Sequence, residues 1–196
     1  MRNYLSNFNE KVFFMINQSG FETIDPFFIL ISNKFIWIPL YLSLLYLIYR
    51  KINFIFFKLI ITVGILIFIS DFGSVHLFKN QFKILRPCHD SFISQSMRHV
   101  VDCGGLYSFI SSHAANSFAV AFFTSMTLKN KIFFISITSW AILISYSRIY
   151  LGVHFPLDVI FGMLWGLIAS LISYELLKKF AKIEKSDVEE IVVKSK

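Results

Sequence analysis

The stretch YSRIYLGVHFPLD, residues 146–158, joins two strongly apolar segments and yet carries an arginine, a histidine and an aspartate. The segments on either side, Ile132 to Tyr150 and Phe155 to Leu177, are each long enough to cross a bilayer. The reason is that a helix rises about 1.5 Å per residue through a hydrocarbon core about 30 Å thick. Arg148, His154 and Asp158 therefore sit where two spans meet water. They either tie helices together there or do chemistry there.

The rest of the chain agrees with a membrane reading. Of 196 residues, 56% are hydrophobic and 16% charged, too few charges to cover a soluble protein of this size, and the apolar residues are blocked into runs. The formal charge of +7 does not indicate a nucleic-acid partner, because Lys and Arg stand at the ends of apolar runs and form no basic stripe. Three further spans are expected, from Pro26 to Ile48, Phe54 to Leu77 and Ser112 to Leu128, for about five in all. The first starts in the interfacial zone, since it holds Asn33 and Lys34. The one from Ser112 is short and polar enough to pack against protein on at least one face. The predicted class is an all-α integral membrane protein.

At the N-terminus, MRNYLSNFNEKVFFMINQSG lacks the apolar core and cleavage site of a signal peptide and is expected to stay on the mature chain. Leu5, Phe8, Val12, Phe13 and Ile16 recur at spacings that suit an amphipathic helix on the membrane surface. Residues 1–196 read as a single domain, with 1–20 an interfacial helix, 79–158 holding the polar motifs and 179–196 a tail that leaves the last helix and becomes flexible.

Short links carry Arg50 and Lys51, then Lys129 and Lys131, and the tail opens with Lys178 and Lys179, which places these three on the inside. The N-terminus, the long connection from Phe78 to Ser111 and the turn at Gly152 then lie outside. That side also carries Lys79, Lys83, Arg86, Arg98 and Arg148, and a bound anion would account for them.

Three polar groups mark the outer ends of the spans. In FPLD, Pro156 fits a first helical turn, so a helix starting near His154 would put Asp158 at i+4 on the same face. A carboxylate there can orient one imidazole nitrogen and leave the other as a base or nucleophile. A polar clamp between helices is the alternative. Ser111 and Ser112 read as helix caps, a role compatible with an anion at the free amides of the same helix start. His113 is then within reach of that anion. Lys79, Arg86 and Arg148 supply cations suited to phosphate. A metal site is not expected, because His154 and Asp158 stand among cations, and His76, His89 and His99 have no spacing that completes a ligand set.

Taken in order, these motifs resemble the type 2 phosphatidic acid phosphatase superfamily, the membrane phosphatases related in fold to vanadium haloperoxidases. Lys79 through NQFKIL to Arg86 and Pro87 matches the first family motif, ISSH at 110–113 the second, and Ser147, Arg148, His154 and Asp158 the third. The resemblance covers roughly residues 20–178. Ile110 and Ser112 stand where the family has proline and glycine, which leaves the turn less backbone freedom.

The resemblance implies that His154 attacks phosphorus to form a phosphohistidine, that Asp158 orients its ring, and that His113 protonates the leaving oxygen. Lys79, Arg86, Ser111, Ser112 and Arg148 would bind the phosphate, with no metal and no cofactor. Together with the shared location of Cys88 and Cys103 on the outside, it also implies a disulfide between them, with two free thiols as the alternative. The implied substrate is a lipid phosphate or pyrophosphate at the outer membrane-water boundary, in a bacterial cytoplasmic membrane with the site facing the periplasm or exterior. Undecaprenyl pyrophosphate is the specific expectation, and phosphatidylglycerol phosphate, phosphatidic acid and lipid A are the alternatives. A transporter would need charge near mid-span or facing broken helices, and a non-catalytic scaffold is the remaining class. Membrane lipids are the other expected partners, and the sequence carries no sign of oligomeric state.

Overall fold

The computed structural model describes residues 4–52 and 56–194, with side chains described for 7–51 and 57–181. Its elements run α1 (Tyr4–Gln18), α2 (Asp25–Ser32), a 3-10 turn (Lys34–Trp37), α3 (Ile38–Ile52) and α4 (Phe56–Ile67). They continue with π-helical stretches Phe68–Phe72 and Ser74–Lys79, the short α5 (Asn80–Phe82), then α6 (Ser112–Leu128), α7 (Lys131–Tyr150) and α8 (Pro156–Lys194).

Among the described residues three helical stretches are long and apolar enough to cross a membrane, namely Phe57–Phe82, Lys131–Tyr150 and Pro156–Ala181. By length and composition three of the expected five spans qualify, or four if the bent pair Asp25–Ser32 and Lys34–Lys51 counts as one. That pair is bent by 63° where Asn33 and Lys34 interrupt the apolar run. Asn33 leaves the helix and its side chain accepts from the Phe35 amide at 3.0 Å, so it starts a new turn instead of continuing the old one. The expected start of the second span, Phe54, lies outside the described residues.

Helix α6 falls short for a different reason. Its 17 residues extend only about 25 Å, and it is wrapped by protein, with Ala114, Ala115, Ala119 and Ala121 fully buried. Its closest partner is α8, across a seam of small residues. A Cβ on Gly162 would stand 2.6 Å from the Ser111 carbonyl oxygen, and one on Gly166 2.5 Å from that of Ala115. Both glycines are therefore needed for the two backbones to touch, as in the G-x-x-x-G contacts of membrane helices. At the far end of α6, Lys51 from the end of α3 donates to the Leu128 carbonyl, and Asn130 caps α7 by accepting from the Phe133 amide at 2.9 Å.

Helix α1 forms where the amphipathic pattern predicts, but it is more than a surface helix. Phe13 is fully buried among Ile93, Met97, Ile149 and Phe155, whereas Phe8 and Met15 on other faces stay exposed. Buried Asn17 donates through Nδ2 to the carbonyls of Arg98 (3.1 Å) and Tyr150 (3.0 Å) and accepts from the Arg98 amide at 2.7 Å. Helix α1 thus covers the long connection and holds it to the end of α7. Helix α8 runs on past the last span to Lys194.

Candidate active site

The last turn of α7 sets the first half of the site. Leu151 donates to the Ser147 carbonyl at 2.9 Å, Gly152 takes φ 78°, and the amides of Val153 and His154 both return to the Arg148 carbonyl at 3.1 and 3.2 Å. Only glycine adopts that left-handed conformation readily, so it closes α7 and fixes His154 relative to Arg148.

Helix α8 begins at Pro156, two residues after His154, and the expected pair still forms. His154 Nδ1 lies 3.4 Å from Asp158 Oδ2, with both side chains buried. The same carboxylate oxygen accepts from the Phe155 amide at 2.8 Å, the return arm of a capping box. Asp158 therefore caps α8 and orients the ring at once, and the Ser108 hydroxyl also reaches it. Asn9 of α1 accepts from the Leu157 amide at 3.0 Å, so a second amide of this helix start is capped from another element. Burial, reinforced by the charges of Lys79, Arg148 and Arg86, holds the His154 pKa well below its ordinary value and keeps the imidazole neutral.

The second half is the start of α6. Ser111 is fully buried and its hydroxyl accepts from the Ala114 amide at 3.4 Å, a helix cap as the sequence indicated. Its own amide donates to the Asp158 carbonyl at 3.0 Å, which binds the second motif to the third. Ser112, where the family has glycine, shares a 2.6 Å hydrogen bond with Ser74, so its hydroxyl is held by the π-helical stretch. Buried Ile110 fills the position of the family's proline. His113 lines a cavity beside Ser112, within electrostatic reach of Arg148, Lys79 and Arg86.

The cations converge from three elements. Lys79, at the end of the π-helical stretch, feels the charges of Arg86, Asp158 and Arg148. Arg86 is anchored by donating to the Cys103 carbonyl at 2.6 Å and the Tyr107 carbonyl at 3.4 Å. A disulfide joins Cys88 to Cys103, with Cα atoms 6.0 Å apart, and secures that anchor. Arg148 donates to the Ser32 hydroxyl, while its Nε is buried with no partner among the described residues. A buried charged donor without an acceptor is costly, and an oxyanion in the site would satisfy it.

Two of the outer cations lie elsewhere. Lys83 is exposed, and Arg98 donates through Nη2 to both carboxylate oxygens of Asp25 at 2.8 and 2.9 Å, so its anion is internal. Among the described residues no three His, Cys, Asp or Glu side chains cluster as a metal ion would need. Sequence reasoning missed Asn9, Asn17, Ser32, Asp71, Ser74, Ser108 and Asn116, whose partners are remote in the chain. The G-x-x-x-G spacing of Gly162 and Gly166 was a readable signal for the α6–α8 contact.

The model of the PAP2 superfamily matches residues 54–182. The chain belongs to that superfamily. It is accordingly a membrane phosphatase acting on a lipid phosphate. A lipid A 4'-phosphatase of Porphyromonas gingivalis is 34% identical over 175 residues, covering 88% of this chain and 74% of that protein. An undecaprenyl-diphosphatase of Sulfolobus acidocaldarius is 30% identical over 173 residues, covering 86% and 78%. Among solved structures, Aquifex aeolicus LpxE superposes with a TM-score of 0.64 at 26% identity, covering 84% of this chain and 93% of that one. The PAP2 bundle described here is thus a fold with solved precedents.

Proposed function

We propose that this PAP2 phosphatase hydrolyses a lipid phosphate monoester of the lipid A kind, without a metal, at the outer boundary of a bacterial cytoplasmic membrane. The expectation of undecaprenyl pyrophosphate gives way because the lipid A 4'-phosphatase is the more similar of the two relatives. Phosphatidylglycerol phosphate and phosphatidic acid are the other candidate esters.

The observation that carries the mechanism is the hydrogen bond from the Ser111 amide to the Asp158 carbonyl, which sets the starts of α6 and α8 against each other. Phosphate entering between them meets His154 from one side and His113 from the other. His154 Nε2 attacks phosphorus while Asp158 holds Nδ1, and the bond from phosphorus to the lipid oxygen breaks. His113 gives that oxygen a proton and the lipid leaves as an alcohol. His113 then takes a proton from water, whose oxygen attacks the phosphohistidine and frees phosphate and His154. Lys79, Arg86, Arg148, the Ser111 hydroxyl and the Ser112 amide stabilise the charge on the non-bridging oxygens. The end of the bundle bearing Lys51, Lys129 and Lys131 is opposite the site, so the positive-inside tendency puts the site outside.

The test is phosphate release in detergent, with chelator present, from lipid A, phosphatidylglycerol phosphate, phosphatidic acid and undecaprenyl pyrophosphate, beside His154→Ala. Turnover of a monoester that chelator leaves intact and the variant abolishes supports the reading. Full activity in the variant, or loss of activity on chelation, would overturn it.

A further inference from the structure

Beside His113, on the side away from α8, lies a cavity of about 170 Å³ that the family motifs leave unassigned. Ser112, His113 and Asn116 of α6 form one wall, and Asp71 of the π-helical stretch another. The break between α2 and α3 supplies Lys34, Trp37 and Tyr41. This volume is below the roughly 300–1,000 Å³ that encloses a whole drug-sized ligand and suits one ring-sized polar group.

Asp71 is an acidic residue inside a spanning helix, where such groups are rare and mark function. Its backbone is π-helical, an irregularity common at functional sites. Asn116 Nδ2 donates to Asp71 Oδ1 at 2.8 Å, and the Ser70 hydroxyl donates to Asn116 Oδ1, so the carboxylate is oriented. Asp71 is exposed, and among the described residues no side chain or backbone group bonds its Oδ2. The Trp37 indole N–H is already satisfied by the Ile31 carbonyl at 2.7 Å, which leaves the ring as apolar wall.

The cavity adjoins an apolar groove, and Lys34, Tyr41 and Asn116 line both. That groove is walled by Leu44, Leu45 and Ile48 of α3, Val63 and Leu66 of α4, and Phe123 of α6. A lipid whose phosphate sits between the histidines would have its alcohol portion in the cavity and a chain in the groove.

We propose that this cavity is the leaving-group subsite and that it selects a hydroxyl-bearing ring, the sugar of a glycolipid phosphate. The inference rests on the phosphatase reading above. A carboxylate only accepts hydrogen bonds, so Asp71 can take them from sugar hydroxyls. It gains nothing from a leaving phosphate, which also presents acceptors. Lys34 stands at the junction with the groove and can donate to a ring oxygen. The aromatic walls face the apolar side of the ring.

Asp71→Asn keeps the shape and the contact with Asn116 while removing the charge. Initial rates with lipid A, phosphatidic acid and undecaprenyl pyrophosphate give the kcat/KM ratio of the first to each of the others. In Asp71→Asn that ratio is expected to fall about tenfold or more, because a site built to bond a hydroxyl discriminates through it. An unchanged ratio, or preference of the wild type for the pyrophosphate, would overturn the subsite. Absence of turnover of every lipid by the wild type would instead overturn the phosphatase reading on which it rests. If the variant does not fold, product inhibition of the wild type decides. Dephosphorylated lipid A should inhibit more strongly than diacylglycerol of matched chain length, and equal inhibition would refute the proposal.

Discussion

Replacing Gly162 by alanine tests whether the α6–α8 seam sets the geometry of catalysis. The added Cβ would lie 2.6 Å from the Ser111 carbonyl oxygen and 3.0 Å from the Ala114 Cβ, where 3.4 Å begins ordinary contact, so the helices must part by roughly 0.8 Å. Backbone fills both sides of that contact, and no flexible side chain can yield in its place. Asp158 is one turn from Gly162, and its carbonyl holds the Ser111 amide, so much of the displacement reaches His154 relative to His113. A misplacement near 1 Å costs about a hundredfold in rate, and overpacking costs about 1–3 kcal/mol of stability. The expected result is a kcat about 10–100-fold lower in a phosphate-release assay, with a lower thermal midpoint followed by tryptophan fluorescence. Gly64→Ala is the control. No atom lies within 4 Å of its added Cβ, and a helical Gly-to-Ala change in open space is worth up to about 1 kcal/mol in favour of the fold. Gly162→Ala with kcat within twofold of wild type and an unchanged midpoint would refute the argument.

The neutral His154 has a pH signature. Because its pKa is pushed below the ordinary 6.5, the acid limb of kcat/KM should lie below pH 6.5, and a limb centred above that value would mean the ring is not held neutral. Asn17→Ala strips three hydrogen bonds, one buried and two part-buried, from the junction of α1, the long connection and α7. It should cost about 3 kcal/mol, read as a lower thermal midpoint, and a midpoint equal to wild type would show that α1 is not a clamp. Reduction of the Cys88–Cys103 disulfide, whose partners are 15 residues apart, should cost about 3 kcal/mol by loop entropy and raise KM as Arg86 loses its anchor. Mass analysis of the native protein should find no free thiol.

Much of the candidate site's geometry was legible because it depends on local spacing. Asp158 follows His154 by one helical turn, and Pro156 announces the helix start, so the pair could be read from five letters. Ser111 as a cap and Lys79 and Arg86 beside Pro87 are equally local. The span count was less legible. Apolar length alone made a span of residues 26–48, whereas Asn33 breaks it by capping a new turn. Helix α6 was read as a span, whereas its alanines are buried by neighbouring helices. Hydropathy does not distinguish burial in lipid from burial in protein.

By itself, then, the sequence determined a helical membrane protein with a histidine, a carboxylate and several cations at the ends of its apolar runs, since periodicity and nearest-neighbour spacing suffice for that. Only the tertiary structure decided that Arg98 belongs to Asp25, that α1 caps the helix bearing Asp158, and that Asp71 and Asn116 join His113 around one cavity. Those contacts link residues far apart in the chain, and only the packing of the helices against one another brings them together.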